Sequence, residues 1–180
     1  MLDLLLKTIW LLLPAYTPNN FAVVFGGGKP IDFGKNFIDG KRILGDGKTF
    51  KGFFFGVLGG FFIANLQRVL EFLSNVKIYS EIDYISFALL TLSLSIGSLV
   101  GDMFGSFLKR RIGIERGAPA PLLDQLDFLI FSLSFAYLMS PHFSRYFTTN
   151  VILIAIVITP ILHLVTNYIA YKLKLKEVPW

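Results

Sequence analysis

The 180-residue chain is 54% hydrophobic, carries no cysteine and has a formal net charge of +5. Its mean hydropathy of +0.63 is too high for a soluble domain of this length, and the lack of cysteine excludes disulfides, thiolate nucleophiles and Cys-ligated metal centres. The basic excess does not point to nucleic acid, because it collects in the connections between apolar stretches, where anionic headgroups and nucleotides are the available partners.

A helix needs about 20 apolar residues to cross a bilayer. Five stretches approach that length, at 4–25, 52–73, 84–107, 122–139 and 151–171. They predict an all-α, polytopic integral membrane protein with about five transmembrane helices, built as a single domain over residues 1–180. The first stretch does not read as a signal peptide, since Asp3 precedes Lys7 and no small-residue cleavage site comes before Gly26. Pro14 and Pro18 interrupt it and Asn19-Asn20 follow. The carbonyls freed there need partners in hydrocarbon, so this part should face protein or a wet cavity. Asn19 fits either a helix–helix hydrogen bond or a substrate contact.

Charge sets the expected orientation. Lys29, Lys35, Lys41, Arg42, Lys48 and Lys51 lie in the connection 26–51, and Lys109, Arg110, Arg111 and Arg116 lie in 108–121. Lys172, Lys174 and Lys176 follow the last stretch, whereas 74–83 and 140–150 hold only Lys77 and Arg145. The positive-inside rule then places the N-terminus outside, both basic loops and the C-terminus in the cytoplasm, and the protein in the cell membrane as a multi-pass chain.

The first basic loop contains Gly26-Gly27-Gly28-Lys29-Pro30-Ile31-Asp32 and Leu44-Gly45-Asp46-Gly47-Lys48-Thr49. Gly47-Lys48-Thr49 is not a Walker A motif, because Arg42 stands where the first glycine is required and no buried strand precedes it. A Gly-rich backbone with Lys48, Thr49 and Lys51 ahead of a helix suits an anion. It reads equally as a solvated inside loop. The second and third stretches carry glycine ladders, Gly52/Gly56/Gly60 and Gly97/Gly101/Gly105, which let helices approach closely. Between them, Arg68 and Glu71 at three-residue spacing read as an interfacial ion pair.

Asp102 closes the third stretch, with Ser106, Lys109 and Arg110 following at helical spacing. Asp124 and Asp127, three apart, share one face of the fourth, and Pro121 suits its first turn. One such charge would be an interfacial anchor. Three carboxylates around a basic loop favour a divalent cation holding a polyphosphate. His142 reads as solvated, and His163 as a packing residue rather than a base.

Taken together these segments resemble the archaeal CDP-archaeol synthase family, a branch of the membrane cytidylyltransferases that includes phosphatidate cytidylyltransferase. Most of the chain carries the resemblance: Leu13-Pro14-Ala15-Tyr16 with Asn19, the two glycine-rich segments, Asp39-Gly40-Lys41-Arg42, Gly101-Asp102, Ser106, Lys109-Arg110-Arg111, Arg116-Gly117 and Pro121 to Asp127. Of the wider signature, Ser106, Lys109, Arg110, Asp124 and Asp127 match. Glu115-Arg116 stands in its Lys-Asp region, no His-Gly-Gly occurs and Gln125 replaces an Arg. Those departures fit the archaeal branch rather than a phosphatidate substrate.

The resemblance implies transfer of CMP from CTP to an unsaturated archaetidic acid (digeranylgeranylglyceryl phosphate), with Mg2+ as cofactor. It implies catalytic roles for Asp102, Asp124, Asp127 and Lys109, the three aspartates as metal ligands, and loops 26–51 and 108–121 as the nucleotide-binding face. Contacts to CTP would come from Asn19, Asp46, Gly47, Lys48, Thr49, Lys51, Ser106, Lys109, Arg110 and Pro121. A CDP-alcohol phosphotransferase is the rival enzyme, but Asp39-Gly40 continues into Lys41-Arg42 rather than into that family's Asp-Gly-x-x-Ala-Arg. A small transporter is the non-enzyme rival, and its polar residues should continue through the membrane instead of gathering at one face.

Overall fold

The computed structural model describes residues 2–115, 118–172 and 174. Its elements are α1 (Leu2–Tyr16), α2 (Pro18–Phe25), α3 (Phe50–Ser74), a 3₁₀ turn (Tyr79–Glu81), α4 (Tyr84–Arg111), α5 (Leu123–Met139), the single turn α6 (Phe143–Tyr146) and α7 (Thr149–Lys172). The chain is thus all-helical among the described residues, apart from two isolated bridges in loop 26–51. Three of the described helices, α3, α4 and residues Thr149–Ile169 of α7, are long and apolar enough to cross a membrane. The expected first span is instead two helices meeting at Thr17, and α5 has 17 residues.

The break follows from proline chemistry. A proline has no N–H, so the carbonyl four residues earlier loses its helical donor. Pro14 frees the Trp10 carbonyl, which accepts Gln67 Nε2 at 2.7 Å. Pro18 frees that of Pro14, which accepts Ser95 Oγ at 2.9 Å, and the neighbouring Ala15 carbonyl accepts Ser98 Oγ at 2.7 Å. Side chains of α3 and α4 therefore satisfy the broken helix from within.

The two glycine ladders sit at different seams. Gly56 and Gly60 bring α3 against Pro18 and the Pro14 carbonyl at the α1–α2 break. Gly97 and Gly101 bring α4 against the backbone of α5 at Phe131–Ser132 and Asp127–Phe128. Because 127 and 131 are also four apart, the bare stripe of α4 meets one continuous ridge of α5.

Arg68 and Glu71 do not pair with each other among the described residues. Glu71 is buried and accepts Trp10 Nε1 at 2.8 Å and the backbone N–H groups of Ile78, Tyr79 and Ser80 at 2.8–3.1 Å. Arg68 donates to the Tyr79 and Ile82 carbonyls and lies over the Phe87 ring. A buried carboxylate needs several donors, and the loop after α3 supplies three backbone N–H groups where a bidentate guanidinium would give two bonds.

Candidate active site

Loop 26–51 is organised around one carboxylate. Asp32 is buried and accepts Arg42 Nε at 2.9 Å, Arg42 Nη2 at 3.0 Å and the backbone N–H groups of Leu44, Gly45 and Gly34 at 3.0–3.1 Å. The Arg42 guanidinium, helped by those N–H groups, holds its carboxyl well below the usual carboxylate range. Ile31 N donates to the Lys48 carbonyl at 2.8 Å, so the Gly-Lys-Thr segment runs back alongside the start of the loop. Thr49 then caps α3 by accepting Gly52 N at 3.0 Å.

The inner end of α4 and the start of α5 face this loop. Lys48 forms an ion pair with Asp102 of α4, and Lys109 of α4 pairs with Asp124 of α5 through both oxygens at 2.9 and 3.1 Å. Asp124 also accepts Ala120 N at 2.8 Å. Asp127 is buried one turn deeper, where its carboxylate occupies the space a Cβ on Gly105 would need, and it interacts electrostatically with Asp102, Asp124 and Lys48. Gly105 is therefore a ladder position kept bare for an aspartate.

Two cavities meet along Gly47, Lys48 and Asp102. A charged one, of about 210 Å³, adds Leu44, Gly45, Ser106, Lys109, Arg110 and Asp124. An amphipathic one, of about 140 Å³, runs between α2, α3 and α4, with Ala22, Val23, Phe53, Leu99 and Met103 beside Asn19 and Thr49. Of the residues expected from sequence, Asn19, Gly47, Lys48, Thr49, Asp102, Ser106, Lys109, Arg110 and Asp124 thus line one cavity or the other. Asn19 also donates to Ser98 Oγ at 3.4 Å, the helix–helix hydrogen bond of its first reading.

Lys51 and Pro121 are exposed and line neither cavity, and Asp46 is bonded to Arg42 at 2.6 Å. Pro121 falls in a turn two residues before α5 rather than in its first turn. The start of that helix is set by Gln125, the residue that replaces an Arg of the wider signature, whose Oε1 accepts Leu122 N at 3.2 Å. His163 meets Asn167 one turn on in α7, outside both cavities. The apolar wall of the second cavity escaped sequence reading, because it has no residue-type signature. Arg116 and Gly117 lie outside the described residues.

No three carboxylates or histidines among the described residues stand close enough to form a metal cluster by themselves. The donor chemistry is nonetheless that of a hard cation, since Mg2+ is ordinarily held by one or two carboxylates together with phosphate oxygens and water.

Known proteins match the chain over most or all of its length. The family model described as CarS-like, CDP-archaeol synthase, matches residues 1–180. CDP-archaeol synthase of Archaeoglobus fulgidus is 59% identical over 180 residues, covering all of both chains. That of Methanococcoides burtonii is 48% identical over 94% of this chain and 100% of its own. A solved structure of an intramembrane enzyme for archaeal membrane lipids biosynthesis superposes with a TM-score of 0.74 at 38% identity, over 91% of this chain and 94% of that one.

Proposed function

The chain belongs to the CDP-archaeol synthase family, and on that premise we propose that it joins CMP from CTP to an unsaturated archaetidic acid at the two cavities around Lys48 and Asp102. The observation that carries the reading is the convergence of Lys48 from loop 26–51, Asp102, Lys109 and Arg110 from α4, and Asp124 from α5 on one charged cavity. Next to it lies an amphipathic cavity sharing Lys48 and Asp102.

A lipid phosphate oxygen attacks the α-phosphorus of CTP, forming one P–O bond as the bond to the β-phosphate oxygen breaks and pyrophosphate leaves. A phosphate monoester has a second pKa of about 6, so the nucleophile is already largely ionised near neutral pH. The protein has to align the reactants and stabilise charge, which suits a site with no histidine in either cavity. Lys48, Lys109 and Arg110 hold the triphosphate, with Gly45 and Gly47 leaving backbone accessible beside it. One or two of Asp102, Asp124 and Asp127, together with phosphate oxygens, would hold Mg2+, which when bound neutralises charge on the triphosphate and the departing pyrophosphate. The lipid phosphate approaches Lys48 from the amphipathic cavity. Val23, 80% exposed on α2, lies at its wall and marks a sideways route from the bilayer.

Labelled CTP, Mg2+ and archaeal lipid phosphate incubated with the purified protein should yield pyrophosphate and a CDP-lipid. The finer assignment is tested by CTP affinity. Lys48→Ala and Lys109→Ala should each cost roughly 2 kcal/mol, as charge-assisted bonds in a partly dry site do. The double variant should lose less than the sum, because residues sharing a ligand couple. Unchanged affinity in both single variants would defeat the shared cradle.

We read the membrane part as five crossings, α1–α2, α3, α4, α5 and α7, with one domain spanning the chain. The 17 residues of α5 rise about 25 Å, somewhat short of a 30 Å core, and the polar start of that helix then sits at the headgroup level. The basic loops and the site lie on the cytoplasmic side. Since the chain has no cysteine, single cysteines at Lys35 and Asn75 give a clean check. An impermeant thiol reagent on intact cells should label position 75 and spare position 35. The reverse pattern would overturn the orientation and with it the supply of CTP from the cytosol.

A further inference from the structure

Arg111 lines neither cavity and has no part in the chemistry above. Two residues beyond Lys109 on α4, it projects about 200° away around the helix, and there it meets loop 26–51 from the far side. Its Nη1 donates to Asp39 Oδ1 at 2.7 Å, and its Nη2 donates to the carbonyls of Lys41, at 3.2 Å, and of Arg42. Lys41 Nζ returns a bond to the Arg111 carbonyl at 3.1 Å. The guanidinium also lies over the rings of Phe37 in the loop and Phe107 in α4, 4.9 Å from each centroid, while those rings meet edge to face at 5.3 Å. Its side chain is only 17% exposed.

The loop thus wraps the end of α4, with residues 37–42 gripped on one side and residues 44–48 facing the charged cavity on the other. The grip reaches the cavity by a short path. Arg42, whose carbonyl Arg111 holds, is fixed through its side chain to Asp32, and the same carboxylate fixes the backbone of Leu44 and Gly45. Lys48 reaches Asp102 of α4 and Lys109 reaches Asp124 of α5, so the seating of the loop on α4 decides how far apart the two ammonium groups lie. A planar guanidinium fork that donates through Nη1 and Nη2 to three acceptors and lies over two rings supplies directional restraint that an ammonium cannot.

We propose that Arg111 is a positioning residue that clamps loop 26–51 to the end of α4 and sets the Lys48–Lys109 spacing at which both engage one triphosphate. The proposal rests on the nucleotide reading of the charged cavity, but the clamp itself can be judged without any ligand.

Nitroxide labels on Lys35→Cys and Leu138→Cys, both exposed positions, report the distance from the loop to α5. The distribution should be narrow in the otherwise unaltered chain and broad in both Arg111→Ala and Arg111→Lys, since charge alone does not restore the fork. CTP affinity should fall roughly tenfold or more in Arg111→Ala, the scale of a misplaced binding group. In that background Lys48→Ala should cost at least threefold less CTP affinity than it does alone, because the loop no longer delivers the lysine. A merely stabilising residue would leave that coupling untouched. Should Arg111→Ala fail to fold, Asp39→Asn and Phe37→Leu loosen the same grip and should broaden the distances. Unchanged distances, or an undiminished Lys48→Ala effect, would overturn the clamp. Absence of CTP binding in the unaltered chain would instead remove the nucleotide reading and leave the distances to decide the clamp.

Discussion

Asp124→Asn is expected to cut CDP-lipid formation by about 10²–10³-fold or more, the scale seen when a preorganised charge-stabilising group is lost, while the protein keeps its melting temperature in detergent. The amide matches the carboxylate in shape and can still accept from Ala120 N, which the carboxylate now does at 2.8 Å. What it loses is the charge that pairs with Lys109 and would hold Mg2+. Asp127→Asn should be as damaging to turnover, and comparing the two separates chemistry from packing. Asp124 is partly exposed in the charged cavity, whereas Asp127 is buried against Gly105. Turnover measured across a magnesium titration, with melting curves alongside, is the deciding measurement. Near-normal rates in both variants at limiting magnesium would remove the metal assignment. Asp102→Asn should be similarly severe, because it also releases Lys48 from its partner.

Gly101→Ala should damage the fold itself. A methyl there would lie 2.5 Å from the Asp127 carbonyl oxygen and 2.7 Å from Phe128 Cα, and at Gly97 it would lie 2.6 Å from the Phe131 carbonyl oxygen and Ser132 Cα. Those are backbone atoms of a neighbouring helix, so no rotamer change relieves the clash and the two helices must separate. Overpacking a tight seam ordinarily costs about 1–3 kcal/mol and occasionally more. Rigid backbone on both sides puts either substitution at or above the upper end. The same separation moves Asp124 and Asp127, which start α5, away from Lys109 and Asp102, so activity should fall further than stability alone explains. A large drop in melting temperature is expected for Gly97→Ala and Gly101→Ala, against almost none for Ser134→Ala on the exposed side of α5. Normal melting of either glycine variant would mean that α4 and α5 do not meet along this ladder.

Much of the architecture was legible residue by residue. Hydrophobicity and charge are local properties, so the apolar stretches, the uneven loops and the break at Pro14 and Pro18 all appear in the sequence. The break even predicts which carbonyls lose their donors, since the missing N–H acts at a fixed offset. Lys48 and Lys109, with Asp102, Asp124 and Asp127 near them, were equally visible, because polar residues bordering apolar stretches stand out. By contrast, the expected Arg68–Glu71 pair and the helical placement of Pro121 were inferred from spacing alone. The structure corrected both: the loop after α3 offered Glu71 more donors, and Gln125 set a later start for α5.

By itself the sequence determined that this protein is helical and built for a membrane, that its acids and bases gather on one face, and which family pattern those residues compose. Only the tertiary structure decided that Ser95 and Ser98 serve the broken helix from some 80 residues away, that Lys48 takes Asp102 while Lys109 takes Asp124, and that Arg111 grips the loop rather than the cavity. The reason is physical. Periodicity and composition act along the chain, within a turn or two. The choice of partner for a charge or a carbonyl depends on which backbones approach closely enough, and here bare glycines on α3 and α4 set that approach.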